Sequence, residues 1–188
     1  MATVSTNEFR KRLRIMVDDN PYIIVDNEFV KPGKGQAFSR VKIKNLLNGR
    51  TIERTYKSGI TVELADISHA TMTYLYNDGE NWAFMDTKTF DQIEIPKDSM
   101  DKADRWLLDN TECEISFWGE RPISVTPPNF MVLEITYSEP AVKGNTSTNV
   151  MKDATLETGT IVKVPLFMEK GMKIKLDTRT GEYVERAK

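Results

Sequence analysis

A primary amine between two glycines is the group in this sequence best suited to chemistry. In the stretch KPGKGQAF, Lys31 to Phe38, Lys34 is flanked by Gly33 and Gly35. A lysine acts as a base or forms a Schiff base only where burial or neighbouring cations depress its pKa. A glycine-flanked turn supplies neither wall nor burial, and only Lys31 is close. What remains is the chemistry of an exposed cation on a narrow tip, able to enter a crevice that a whole domain cannot. A plain polar turn would explain the glycines equally well, since glycine supplies the positive φ angles that turns need.

The neighbouring residues add a second feature. Alternation along AFSRVKIKNLL places Arg40, Lys42 and Lys44 on one strand face and Val41 and Ile43 on the other. Arg10, Lys11, Arg12 and Arg14 precede this stripe, and Arg50, Arg54 and Lys57 follow it. Such a face attracts phosphates by releasing their counterions. Taken alone, a charged stripe is also what any solvated strand face presents.

Other reactive residue types are sparse. The single cysteine, Cys113, alternates with Ile115 and Phe117, as a small buried hydrophobe would. The single histidine, His69, has no carboxylate or cysteine at ligand spacing, so no metal site is expected. Asp98, Asp101 and Asp104 surround an expected helix start, where carboxylates favour the helix dipole. Trp82, Trp106 and Trp118 are expected in cores rather than as stacking platforms. No Gly-rich phosphate loop, Walker motif or G-x-S-x-G elbow is present, and no cofactor is implied.

The elements that must hold these residues read mostly as short strands. PYIIVDNEFV and AFSRVKIKNLL form a long hairpin around residues 31–36, and Asn48-Gly49 turns the chain into TIERTYKSG. Asn77-Asp78-Gly79 joins two further strands. DSMDKADRWLLDN suggests one short helix with Trp106, Leu107 and Leu108 on its apolar face, before the strand ECEISFWGERPISV. Near the C-terminus, Gly159, Gly171 and Gly181 punctuate three strands. Glycine turns at intervals of roughly 8–12 residues indicate a mainly β chain of small barrels.

Charge divides the 188 residues into three. Residues 1–64 carry twelve Lys and Arg against seven Asp and Glu, a balance of +5. Residues 65–128 carry five against thirteen, −8, and residues 129–188 nine against eight, +1. Pro127-Pro128 stiffens the second junction. No apolar stretch of about 18 residues is present to span a membrane, and the N-terminus has no apolar leader core, so a soluble cytoplasmic protein is expected.

These motifs, taken in order, resemble bacterial elongation factor P from end to end. FVKPGKGQAF resembles the family's modification loop, TYLYNDGENWAFMD and WGERPISVTPPNF its middle domain, and KDATLETGTIVKVPLF with DTRTGEYVERAK its C-terminal domain. The spacing from Lys152 through Ala154, Gly159, Val162, Val164 and Pro165 to Gly171 follows the family signature. Met168 replaces the usual branched aliphatic.

The resemblance implies an SH3-like (KOW-like) barrel over residues 1–64, then OB-fold barrels over 65–128 and 129–188, in an L-shaped arrangement similar to tRNA. It implies no enzymatic activity. It implies a translation elongation factor that binds the ribosome between the peptidyl and exit sites, contacts both subunits and peptidyl-tRNA, and relieves stalling at consecutive prolines. Lys34 aligns with the lysine that relatives extend; it resembles the class lysylated by a lysine-modifying enzyme similar to a lysyl-tRNA synthetase, and lysine with Pro32 also occurs in relatives that carry other adducts. An arginine-based rhamnosylated tip is excluded by the lysine. Lys31, Pro32, Gly33, Gly35 and Gln36 then contact the CCA end, and Arg40, Lys42 and Lys44 contact RNA backbone. Gly144-Asn145-Thr146 lies where many relatives have Gly-Asp-Thr beside the exit-site codon. Asparagine keeps the carbonyl acceptor and loses the charge. Tyr183 and Arg186 resemble positions facing the small subunit or the tRNA body, although Tyr183 also suits a core. A monomer is implied.

Overall fold

The computed structural model describes residues 1–141 and 150–188. These form two compact units, Met1–His69 with Ser116–Ile123, and Ala70–Ile115 with Ser124–Lys188.

In the first unit, β1 (Thr3–Ser5) leads through a 3-10 turn to β2 (Arg14–Val17), β3 (Asn20–Val30), β4 (Phe38–Asn45), β5 (Thr51–Lys57) and β6 (Thr61–Glu63). β1 pairs with β6, and β2 to β5 form an antiparallel sheet in sequence order. Its core is Phe9, Ile15, Val17, Ile24, Val41 and Ile43, closed by Val4, Leu13, Tyr22, Tyr56, Val62 and Leu64. Strict alternation along β4 sends Val41 and Ile43 fully inward. The Asn48-Gly49 turn forms as expected. Asn45 Oδ1 accepts from the backbone N–H groups of Leu47 (2.8 Å) and Asn48 (3.2 Å), and Gly49 takes φ +72°. Buried Thr6 ties the strand ends. Its hydroxyl donates to the Lys57 carbonyl (3.0 Å) and accepts from Gly59 N–H (3.1 Å).

The rest of the chain repeats one topology. β7 (Ile67–Asn77), β8 (Asn81–Asp86), β9 (Gln92–Pro96), β10 (Glu112–Trp118) and β11 (Arg121–Thr126) run in the order β11-β10-β7-β8-β9. β12 (Phe130–Ser138), β13 (Met151–Leu156), β14 (Ile161–Pro165), β15 (Lys173–Asp177) and β16 (Glu182–Ala187) run β14-β13-β12-β15-β16. In both, the first strand is central, the second and third lie on one side, and the fourth and fifth on the other. That is the OB-fold order. β14 also approaches β16, closing the second barrel.

The helix expected in DSMDKADRWLLDN does not form. Lys97–Ser99 and Ala103–Arg105 are separate 3-10 turns, with Asp101 at φ +45° and Lys102 at φ +67° between them. Left-handed backbone at two successive residues cannot continue a right-handed helix. Trp106 therefore leaves the segment and joins the C-terminal barrel's core with Leu133, Ile135, Leu156, Val164 and Met168. Thr160 Oγ1 donates to the Arg105 carbonyl at 2.7 Å, and Gly181 lies beside the indole, where a Cβ would make ordinary contact with it at 3.5 Å.

Cys113 is buried as expected, and loss of solvent pushes its thiol up to about 12. Asp98 and Asp104 lie in the first turns of the two 3-10 segments. Trp82 is buried, as a core role requires, while Trp118 is only half-buried. Among the described residues, no group of three or more His, Cys, Asp and Glu is placed to hold a metal ion. No helix among them is long and apolar enough to cross a membrane.

Candidate nucleic-acid interface

The β3–β4 hairpin carries Lys34 at its end. Its ladder runs from Tyr22 opposite Asn45 to Val30 opposite Phe38, leaving residues 31–37 as the loop. Ser58 N–H donates to the Ala37 carbonyl (2.9 Å) and fixes the loop's returning end to the end of β5. Lys31, Gly33, Lys34, Gly35 and Gln36 are exposed, while Pro32 is half-buried. Among the described residues Lys34 has no hydrogen bond or ion pair. The two glycines differ. Gly35 has φ +111°, a backbone that only glycine adopts without strain. Gly33 has no such angle, and a Cβ there would meet nothing within 4 Å. The fold needs Gly35. It does not need Gly33, whose missing side chain only keeps space open to the outside.

Arg40, Lys42 and Lys44 are exposed on β4, as the alternation requires. They are not a bare line of cations, because the register sets carboxylates beside them. Glu28 on β3 lies opposite Arg40, Asp26 lies opposite Lys42, and Glu53 on β5 flanks Lys42 from the other side. Arg40 sits 3.7 Å from both Glu28 and Glu53. Lys11 Nζ is 2.9 Å from Asp26, and its bond holds that carboxyl below the usual range, with Lys42 adding to the effect. Arg54 pairs with Asp18 across the sheet. Lys42 and Lys44 have no ion pair among the described residues. Ion pairs this exposed are weak in water, so a phosphate can replace the carboxylate.

His69 belongs to the same unit. Arg14 Nη2 donates to its Nε2 at 3.0 Å, and Ser116 Oγ lies 3.1 Å from its Nδ1. It is an anchored structural residue rather than a ligand.

The remaining candidates lie on the C-terminal barrel. Tyr183 is half-buried and packs against that barrel's core, while Arg186, on the same strand, is exposed and lies opposite Ile174. Gly144, Asn145 and Thr146 fall outside the described residues. Cross-strand geometry also reveals an exposed ring that periodicity does not single out. Phe130 has Lys175 Nζ at 5.4 Å and Arg179 Cζ at 5.5 Å from its centroid.

Comparison with known proteins matches this arrangement part by part. The family model for the elongation factor P (EF-P) KOW-like domain matches residues 5–62, that for the elongation factor P (EF-P) OB domain residues 67–125, and that for elongation factor P, C-terminal, residues 131–186. Among solved structures, the chain is similar to eukaryotic translation initiation factor 5A from Methanococcus jannaschii. That match has 24% identity and a TM-score of 0.59, over 67% of this chain and 92% of the other. It is also similar in fold to a translation initiation factor eif-5a family protein from Naegleria fowleri, at 11% identity and a TM-score of 0.52, over 66% and 97%. With an SH3-like, KOW-type barrel followed by two OB-fold barrels, each matched by its own domain of one family, the chain belongs to the elongation factor P family, a family of translation factors and not of enzymes.

Proposed function

We propose that this protein binds the ribosome between the peptidyl and exit sites, contacts peptidyl-tRNA and stimulates peptide-bond formation, relieving stalls at consecutive prolines. The observation that carries the reading is Lys34, an exposed ammonium at the end of a hairpin with no partner among the described residues. A side chain that stabilises nothing inside its own fold is available to a partner outside it. Lys34 is extended by a lysine-modifying enzyme similar to a lysyl-tRNA synthetase, and the lengthened arm reaches towards the peptidyl-transferase centre. Its amine donates hydrogen bonds to the CCA end of the tRNA, which holds the peptidyl group in a reactive orientation. The contribution is entropic, because proline is a poorly oriented substrate rather than one that needs an acid or a base.

Lys31, Pro32, Gly33, Gly35 and Gln36 line the approach to the CCA end, with Pro32 restricting the loop before it binds. Arg40, Lys42 and Lys44 exchange their weak carboxylate partners for RNA phosphates. Residues 144–146 approach the exit-site codon, and Tyr183 and Arg186 face the small subunit or the tRNA body. The protein works as a cytoplasmic monomer with contacts to both ribosomal subunits.

The test is peptide synthesis in a reconstituted translation system on a template with three consecutive proline codons. Wild-type protein recovered from its own host is expected to relieve the stall, and Lys34→Ala is not. The reading fails if neither protein changes a stall that an established member of the family relieves.

A further inference from the structure

Of the three tryptophans, Trp82 and Trp106 are buried and Trp118 is left half-buried, lining a cavity of about 1030 Å³ in the first unit. Met16, Leu64 and Ala65 line the same cavity and give it an apolar wall. A space of this size takes a drug-sized molecule rather than a single water or ion. No lining residue belongs to the Lys34 loop or to the β4 stripe, so the cavity is separate from the interface described above.

Backbone bonds hold the walls. Leu64 N–H donates to the Ala2 carbonyl (2.8 Å), Ala65 N–H to the Arg14 carbonyl (3.1 Å), and Gly119 N–H to the Asp66 carbonyl (3.1 Å). The last of these ties the β10–β11 turn, where Gly119 takes φ +58°, to the chain between β6 and β7. Leu64 also packs on the barrel core and bridges to Ile15. The space is therefore built into the fold, and little ordering is left for a ligand to impose.

One sign of charge dominates the lining. Glu63, Asp66 and Glu120 stand against a single cation, Arg121. None of the four has an ion pair or a side-chain hydrogen bond among the described residues. Glu63 is half-buried, so water screens its charge less than it screens the three exposed groups.

We propose that this cavity binds a small organic cation, an amine or guanidine carried on an aromatic or branched aliphatic body. The body lies against Met16, Leu64 and Trp118, and the charge is shared by Glu63 and the indole ring. An anion meets three carboxylates, and a bare alkylamine leaves the apolar wall wet, so neither fits.

The experiment titrates the full chain with 4-phenylbutylamine and follows backbone amide and indole N–H signals by NMR. 4-Phenylbutanoate supplies the same body with the opposite charge, and butylamine the charge without the ring. The aryl amine is expected to give saturable shifts confined to Met16, Leu64, Ala65, Gly119 and the Trp118 indole, with both controls about tenfold weaker or more. Glu63→Gln keeps the shape of the wall and is expected to keep the melting temperature while weakening the amine about fivefold; Trp118→Ala is expected to weaken it about tenfold. If Trp118→Ala does not fold, Glu63→Gln alone decides. Shifts that never saturate, or that spread over the acidic surface of residues 65–128, overturn the site. Equal binding of the butanoate, or indifference to Glu63→Gln, overturns the selection for a cation. Either failure leaves the Lys34 reading intact.

Discussion

Two segments of this chain project beyond the sheets that carry them, and they end in opposite ways. The loop at residues 31–37 leaves the β3–β4 hairpin with Lys34 exposed and unbonded among the described residues, whereas the segment after β9 carries Trp106 into the core of the C-terminal barrel. The difference lies in the side chains at each tip. Glycine has no side chain to bury, and lysine has only a methylene stem whose charged end stays in water, so the loop gains little by folding back. An indole buries a large apolar surface, and the two 3-10 turns before it cost little regular structure to redirect. One projection is kept for an outside partner, and the other is used up inside the molecule.

Trp106→Ala is the strongest way to break this comparison. Removing a buried ring from a closed barrel costs about 3–5 kcal/mol. Urea unfolding followed by circular dichroism is therefore expected to show a large fall in stability, and Lys34→Ala none. If Trp106→Ala is tolerated without loss, the indole is a peripheral contact and the contrast collapses.

Cys113 tests the interior by pH. Its thiol is pushed up to about 12 by burial, above the value of an unfolded thiol, so the folded state disfavours the thiolate. Stability is then intact at neutral pH and falls as pH rises past about 9, where the unfolded chain begins to lose the proton and the folded one does not. Cys113→Ala is expected to flatten that alkaline loss. A thiol reagent at pH 8 is expected to label the native protein slowly and the urea-unfolded protein fast.

The same contrast explains what the sequence could convey. Arg40, Val41, Lys42, Ile43 and Lys44 were legible because a period of two is local and survives any tertiary context. The Asn48-Gly49 and Asn77-Asp78-Gly79 turns were legible because glycine marks positive φ. The β2–β3 turn was not, since Asp18 and Asp19 take φ +48° and +60° without any glycine. The carboxylates that flank the stripe were hidden for a different reason. A bulge at Val25 sets the register that brings Asp26 opposite Lys42, and register is a property of two strands together. The Trp106 plug was the least visible, because WLL reads as the apolar face of a helix until a distant barrel is there to receive the ring.

The two loop glycines give the smaller effects. Gly35→Ala forces a Cβ onto φ +111° and is expected to cost about 1 kcal/mol, within what an exposed loop can partly relax. The loss should be confined to the hairpin, so hydrogen exchange at Val30 and Phe38 is expected to quicken while the C-terminal barrel is unchanged.

Gly33→Ala is expected to do nothing to stability, and that makes it the sharper of the two. Its Cβ meets no atom within 4 Å and its backbone is not left-handed, so no internal contact is lost or strained. A methyl group there is felt only by something that approaches from outside. If Gly33→Ala keeps its melting temperature but relieves proline stalls less well, the space beside Lys34 is occupied by a partner during function. If relief is unimpaired, the tip works by reach alone, and the missing side chain at residue 33 follows from the loop's history rather than from its contacts.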